Sequence, residues 1–214
     1  MLFKRLRHEF YDHLTSFEII FPIPSSILLN KRSNFHLIVE MHSNEKNKFQ
    51  IPLKNIFQKY LVKIIKIENN IKNSWIWKKR EDLVHIQKNL NYNHKFDISL
   101  PLSQWKNFIS KTNKFVKTYK QFSPYFFGHL GDGNLHCNFK VENEKEKDIK
   151  LLHKYIYELT LSLNGSIAAE HGLGQKKNML LKKYKSKEYY NFLKNFKKHL
   201  DPNNNLGVNK LFKS

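Results

Sequence analysis

Two histidines on either side of a glycine-rich turn constrain the fold of this chain more than any other feature. Residues 129–138 read His-Leu-Gly-Asp-Gly-Asn-Leu-His-Cys-Asn. Gly, Asp and Asn tolerate the tight reversal of a short loop, and the apolar residues on both sides alternate as they do in strands. The segment therefore predicts a β-hairpin that carries His129 and His136 beside its loop.

The hairpin also predicts which side chains share a face. Directly opposed residues on one face have Cβ atoms roughly 4.5–5.5 Å apart, so we expect the imidazoles of His129 and His136 to reach one divalent metal ion. Strand alternation puts Asn138 on the face of His136 and turns Cys137 to the other face. The single cysteine is thus expected to pack in the core.

A second motif occupies residues 164–174, which read Asn-Gly-Ser-Ile-Ala-Ala-Glu-His-Gly-Leu-Gly. Its small residues allow the backbone to approach a flat ligand, and Gly172 and Gly174 suit a bend into a helix. Glu170 offers a metal ligand, and the neighbouring His171 offers a proton acceptor. Taken with the hairpin, this motif predicts a combined metal and acid/base site.

Both motifs, together with Lys-Phe-Asp-Ile-Ser-Leu-Pro at residues 95–101, resemble the C-terminal half of FAD-linked D-2-hydroxy-acid dehydrogenases. The resemblance is strongest to the D-2-hydroxyglutarate dehydrogenases and covers residues 14–211. It implies oxidation of a small D-2-hydroxy acid, of the 2-hydroxyglutarate or lactate type, with hydride transfer to FAD.

The resemblance also implies roles for individual residues. It assigns a divalent metal, with zinc the favoured ion, to His129, His136 and Glu170, and the role of general base to His171. The residues that it implies for substrate binding are Arg80, Lys95 and Asn138, and those that it implies for contact with FAD are Asn138, His171 and Lys210. Where the hydroxyglutarate enzymes have a threonine four residues after the arginine, this chain has Val84.

Arg80 stands out without any resemblance. Only 4 of the 38 basic residues are arginines, and Arg80 is the last of them in the chain. The planar guanidinium fork grips a carboxylate through two parallel hydrogen bonds, which a lysine ammonium cannot imitate. We therefore expect Arg80 to bind the carboxylate of an acidic substrate.

No segment of the sequence predicts a site for the FAD pyrophosphate. The large FAD-binding domain of the resembled enzymes has no counterpart before residue 14, and no other phosphate-cradling glycine loop is present. The expected partner is therefore a separate FAD-binding chain. A catalytically inactive, truncated remnant is the alternative, and a basic nucleic-acid-binding module is a third reading.

Composition bears on partners and compartment. The net charge of +20 is spread along the chain and is nearly all lysine, which indicates a coding bias better than a nucleic-acid-binding patch, so no nucleic acid is expected. One cysteine excludes an internal disulfide and fits a reducing compartment. No apolar run is long enough for a membrane span. We expect a cytoplasmic protein in a bacterium or a mitochondrial one in a eukaryote.

Apolar periodicity predicts an α+β fold in which an antiparallel sheet, as in a ferredoxin-like cap, packs against helices. Residues 14–165 are expected to form the substrate or cap domain, and residues 166–214 a helical segment that packs on the FAD-binding domain. The strands are expected at 17–23, 35–42, 95–100 and in the hairpin. The helices are expected at 52–66, 74–90, from 101 onward, 144–163 and 176–200, the last broken near Ser186.

Overall fold

The structure is a computed structural model that describes residues 2–24, 35–45, 48–64, 68 and 74–212. The chain divides into two compact units, Met1–Ile167 and Ala168–Ser214, and each is described by itself. None of the helices in the described part of the chain is both long enough and apolar enough to cross a membrane.

The first unit is built on a five-stranded sheet in which every pairing is antiparallel. The strands are β1 (Leu14–Ile20), β2 (His36–Met41), β3 (His94–Ser99), β4 (Phe122–His129) and β5 (Asn134–Val141), in the spatial order β2-β1-β4-β5-β3. β4 and β5 form the predicted hairpin. The α+β class and its antiparallel sheet are confirmed.

In the described part of the chain, five α-helices with both ends described belong to this unit and two to the second. Those of the first unit are α1 (Leu2–Glu9), α2 (Gln50–Lys59), α3 (Trp75–Asn89), α4 (Trp105–Thr118) and α5 (Glu146–Ser162), and those of the second are α6 (Gly174–Tyr184) and α7 (Lys187–Leu200).

Most helix boundaries lie within a few residues of the expected ones. α3 begins after Ser74, whose hydroxyl accepts a hydrogen bond from the Trp77 amide at 3.2 Å and so caps the helix. α2 ends earlier than expected, at Lys59, and the last residues of that expectation, 65 and 66, lie outside the described residues. α1 was not expected, although Leu2, Phe3 and Leu6 recur at helical spacing and pack in one apolar cluster, in which Leu6 is fully buried.

The two faces of the sheet differ in chemistry. One face is apolar and packs against α4 and α5, where the Phe96 and Tyr157 rings lie 5.3 Å apart. Cys137 is fully buried on this face, as expected. The other face carries polar side chains beneath α3, and Leu83 of that helix is fully buried with Tyr125 and Phe127 of the sheet. Burial of one such leucine contributes about 2 kcal/mol, which holds α3 on the polar face.

Gly133 holds the hairpin loop against Leu100, the residue that follows β3. Its φ is +78°, and its carbonyl accepts a hydrogen bond from the Leu100 amide at 3.0 Å. A Cβ on Gly133 would lie 2.5 Å from the Leu100 carbonyl oxygen. Gly131, in the same loop, has no heavy atom within 4 Å of the corresponding position. The loop thus needs glycine at one of these positions and not at the other.

We expect Gly133→Ala to lower the free energy of unfolding by at least about 1 kcal/mol, because the substitution adds both a left-handed alanine and a backbone clash. Gly131→Ala is the matched control and should change that free energy by less than about 0.5 kcal/mol. Urea denaturation of the three proteins measures both values. Equal stability of the two variants would contradict this account of the loop.

Candidate metal and substrate site

An ion pair under α3 organises the polar face. Nε of Arg80 donates a hydrogen bond to Oε2 of Glu18 on β1 at 2.8 Å, and both side chains are buried. The Arg80 guanidinium also lies over the Phe127 ring, 4.6 Å from its centroid. Among the described residues, the hydrogen bond that the structure shows for this guanidinium engages Nε, and a guanidinium carries two further nitrogens that can donate.

The second oxygen of Glu18 holds the first histidine of the hairpin. Nδ1 of His129 is hydrogen-bonded to Oε1 of Glu18, and the Ser16 hydroxyl lies 3.4 Å from the same oxygen. Burial by itself would raise the pKa of Glu18, but hydrogen bonds with His129 and Arg80 and the charge of Arg80 lower that pKa below its ordinary value of 4.5. Glu18 is therefore ionised at neutral pH and links His129 to Arg80.

The second histidine of the hairpin lies next to the first. Nε2 of His136 is 3.4 Å from Nε2 of His129, and Nδ1 of His136 is 3.8 Å from Oδ1 of Asp97 on β3. The same Asp97 oxygen accepts a hydrogen bond from the side-chain amide of Asn134 at 2.6 Å. Each imidazole thus has a carboxylate at Nδ1 and turns Nε2 toward the other imidazole.

One expectation about the hairpin was wrong. His129 and His136 are not directly opposed, because His129 is paired with Asn134 and His136 with Phe127. Residues 130–133 form the loop, and this register places the two histidines diagonally on one face. Diagonal neighbours remain within reach of long side chains, which is why the imidazoles still meet.

The arrangement of the two imidazoles suits a divalent metal. With Zn–N bonds of 2.0–2.1 Å and tetrahedral angles, two nitrogen ligands of one zinc ion lie about 3.3–3.4 Å apart. The observed separation of the Nε2 atoms is 3.4 Å. Histidines that bind metals also commonly donate their second N–H group to a carboxylate. Glu18 is hydrogen-bonded to Nδ1 of His129, and Asp97 lies 3.8 Å from Nδ1 of His136. The donor set therefore fits zinc or a similar ion.

The remaining candidates of the first unit lie on the same face. Asn138 is buried, and its side-chain amide donates a hydrogen bond to Gln87 of α3. Lys95 is directly paired with Asn138 across β3 and β5, and it is exposed. The structure therefore brings together five candidate residues, which are Arg80, Lys95, His129, His136 and Asn138.

The other candidates belong to the second unit. Glu170 and His171 are exposed and lie in the segment before α6, which begins at Gly174 with a φ of +56°. The expected bend into a helix is therefore present. Lys210 is exposed, and its amide donates to the Gly207 carbonyl in a turn after α7. The functional roles of these three side chains remain predictions.

Three buried polar residues of the site were not anticipated from the sequence. Glu18 is a lone carboxylate in the apolar run 17–21, and Asp97 alternates with Lys95, so each carried a signal that strand periodicity could have revealed. Gln87 lies two turns after Arg80 on α3, at a spacing that places both on one helix face. Buried carboxylates of this kind need partners, and here those partners are candidate ligands.

The sequence is that of a C-terminal domain of the FAD-linked oxidase type. Residues 10–211 match the family described as "FAD linked oxidases, C-terminal domain", and the chain belongs to that family. The resemblance that the motifs indicated is therefore confirmed.

Curated relatives agree with the family. The chain is 31% identical over 179 residues to mitochondrial D-2-hydroxyglutarate dehydrogenase of Arabidopsis thaliana, covering 81% of this chain and 32% of that protein. It is 32% identical over 145 residues to D-2-hydroxyglutarate dehydrogenase of Stutzerimonas stutzeri, covering 64% and 31%. A mitochondrial protein of Schizosaccharomyces pombe with the provisional name of a D-lactate dehydrogenase is 28% identical over 228 residues, covering 94% and 43%. The chain thus spans about a third of the length of the hydroxyglutarate relatives.

The ion pair of Glu18 generates a prediction about pH. Because the pKa of Glu18 in the folded chain lies below its ordinary value of 4.5, ionised Glu18 stabilises the fold. That contribution is fully present above about pH 4.5 and is lost as the pH falls through the lower, folded-state pKa. We expect the difference in free energy of unfolding between wild type and Glu18→Gln to be largest at neutral pH and to shrink on acidification.

Urea denaturation of both proteins between pH 7 and pH 3 measures that difference. Glu40→Gln, on the neighbouring strand β2, removes the same charge from a carboxylate that accepts a hydrogen bond from the Thr15 hydroxyl, and it controls for net charge. A Glu18→Gln difference that stays constant over this pH range would contradict the prediction.

Proposed function

We propose that this chain is the substrate-binding and metal-binding part of an FAD-linked D-2-hydroxy-acid dehydrogenase. Residues 14–165 serve as its substrate or cap domain, and residues 166–214 as the segment that packs on an FAD-binding domain. The reaction is oxidation of a D-2-hydroxy acid to the 2-oxo acid. The observation that carries the proposal is the pair of imidazoles with Nε2 atoms 3.4 Å apart, on the same face as a buried arginine.

The side chains of the first unit divide the work of binding. The terminal nitrogens of Arg80 grip the carboxylate of the substrate, since Glu18 already holds Nε. Lys95 adds a positive charge on the same face, and Asn138, fixed by its hydrogen bond to Gln87, contacts the substrate and the flavin. These contacts orient the hydroxyl-bearing carbon, and correct orientation is a large part of the rate enhancement in such reactions.

The proton of the substrate hydroxyl goes to His171, which acts as the general base. His129, His136 and Glu170 hold the metal. When bound, the metal acidifies the hydroxyl and FAD accepts the hydride, so the hard chemistry belongs to these two groups. Lys210 contributes a contact with FAD. The protein supplies position, charge and a proton acceptor.

Val84 bears on which substrate side chain the site accepts. Val84 lies one turn after Arg80 on α3 and is partly exposed, at the position where the hydroxyglutarate enzymes have a threonine. An apolar group there cannot hydrogen-bond a second carboxylate. A 2-hydroxy acid of the lactate type is therefore a candidate beside 2-hydroxyglutarate, and the named relatives include both kinds of enzyme.

Activity also depends on where FAD is bound. A separate FAD-binding chain is the partner that the split-enzyme form of the proposal requires, and an inactive remnant is its alternative. The relatives named above are mitochondrial in the two eukaryotes, which fits a mitochondrial location if this chain is eukaryotic and a cytoplasmic one if it is bacterial.

The first test of the proposal is metal content. We expect about one Zn²⁺ or Mn²⁺ per chain, because two imidazoles and one carboxylate form a catalytic type of site with open coordination positions. Elemental analysis of the purified 214-residue chain measures the stoichiometry. His129→Ala and His136→Ala should each lose the metal, whereas His85→Ala, which removes an exposed histidine of α3, should keep it. Equal metal content in all four proteins would refute the site.

The second test separates the base from the metal ligand. In a complex with an FAD-binding chain, His171→Asn should reduce turnover by about 10²–10⁴-fold, as expected for loss of a general base, while the metal stays bound. Glu170→Ala should lose both metal and turnover. Steady-state rates with D-lactate and D-2-hydroxyglutarate, measured beside metal analysis, distinguish the two roles. A fully active His171→Asn complex would assign the base elsewhere.

The third test concerns flavin. FAD affinity comes largely from the pyrophosphate and the buried dinucleotide, so we expect the 214 residues purified alone to show no flavin absorbance and to reduce no dye with either substrate. Addition of a matching FAD-binding chain should give both colour and activity if the chain is half of a split enzyme. It should give neither if the chain is a remnant. A yellow, active preparation of the 214 residues alone would show that the cofactor binds to this chain.

A further inference from the structure

Arg80 restricts the hydrogen-bonding role of Glu18, and Glu18 in turn restricts which ring nitrogen of His129 carries the proton. A guanidinium donates hydrogen bonds and accepts none, so the Glu18 oxygen that faces Arg80 must be an acceptor. The other oxygen of Glu18 faces Nδ1 of His129. An ionised carboxylate is also an acceptor only, and neutral His129 must therefore carry its proton on Nδ1.

The position of that proton sets the chemistry of the other ring nitrogen. With the proton on Nδ1, Nε2 of His129 keeps its lone pair, and this is the nitrogen that lies 3.4 Å from Nε2 of His136. We propose that Glu18 is a positioning residue which, held by Arg80, fixes the Nδ1–H tautomer of His129 and so presents Nε2 to a metal ion. The inference deepens the proposed function and rests on its metal site.

A glutamine at position 18 would reverse this tautomer. A glutamine amide has one accepting oxygen and one donating nitrogen. As long as Arg80 donates from Nε, the amide oxygen must face Arg80, and the amide nitrogen must then face Nδ1 of His129. The His129 proton is driven to Nε2, which blocks the metal-binding atom. The Ser16 hydroxyl can donate or accept, so it opposes neither orientation.

The second carboxylate of the site imposes no such order. Oδ1 of Asp97 lies 3.8 Å from Nδ1 of His136, and the same oxygen accepts a hydrogen bond from the Asn134 amide nitrogen, which also donates to the Ile98 carbonyl. A single accepting oxygen thus faces both groups. An asparagine at position 97 can therefore still present its oxygen to His136. The tautomer of His129 is fixed because Glu18 also accepts a hydrogen bond from Arg80, which can only donate.

The experiment compares metal affinities of four forms of the full chain, which are wild type, Glu18→Gln, the double variant Glu18→Gln/Arg80→Met and Glu40→Gln. Affinities for Zn²⁺ and Co²⁺ come from chelator competition. We expect Glu18→Gln to weaken binding by about 10–100-fold, as is typical when the partner of a metal-binding histidine is lost. The double variant should recover most of this loss, because without Arg80 the amide can turn its oxygen to His129. Glu40→Gln should bind as wild type does.

Imidazole ¹⁵N chemical shifts of the metal-free proteins report the tautomer directly. At a pH at which these shifts show a neutral imidazole, His129 should be the Nδ1–H tautomer in wild type and in the double variant, and the Nε2–H tautomer in Glu18→Gln. The double variant buries no unpaired charge, so it keeps the test possible if Glu18→Gln fails to fold.

The outcomes separate the two proposals. If wild type binds no metal, the proposed metal site fails, while the shifts still test the role of Glu18. If wild type binds metal but His129 is an Nε2–H tautomer, the inference is overturned. It is equally overturned if removal of Arg80 from the Glu18→Gln background restores neither the tautomer nor the affinity, because a merely structural loss would not be repaired by a second substitution.

Discussion

The buried ion pair between Glu18 and Arg80 is the interaction on which the polar face depends. It joins the first strand of the sheet to a helix 62 residues later in the sequence. Neither charge could be buried alone, because a lone buried carboxylate or guanidinium loses its hydration without compensation. The pair therefore brings α3 and β1 together with their polar groups facing inward, next to the histidines of the hairpin.

The aromatic core and the candidate site residues lie on opposite faces of the sheet. On the apolar face, aromatic side chains pack against α4 and α5, and Cys137 is buried without access to solvent. On the polar face, the apolar contacts of Leu83 and Tyr125 stand beside a row of buried polar groups. Because strand residues alternate, one hairpin can contribute His136 and Asn138 to the site and Cys137 and Phe139 to the core.

The candidate site has the features of a pre-organised one. The imidazoles of His129 and His136 each face a carboxylate, and Arg80 stacks on an aromatic ring while Glu18 holds one of its nitrogens. Such supporting contacts restrict the rotamers of ligating and binding side chains before a ligand arrives. The supporting residues come from β1, β3, β4 and α3, so that with β5 the site draws on four of the five strands and on one helix of the first unit.

The sequence predicted the features of the site that depend on residues close together in the chain, and it missed those that depend on distant residues. Turn chemistry and two-residue periodicity located the hairpin, the shared face of His136 and Asn138, and the buried Cys137, because these depend on neighbouring residues. The scarcity of arginine singled out Arg80.

The diagonal register of the histidines was missed, because it depends on how many loop residues remain unpaired. The partnership of Glu18 with Arg80 and His129 was also missed, because nothing in the sequence specifies which strand lies beside β4. Thus the sequence by itself determined the residue types and the local geometry of the site, while the tertiary structure decided the partners of these residues. The physical reason is that only the pairing of β1 with β4 and the docking of α3 bring Glu18 between Arg80 and the His129 imidazole.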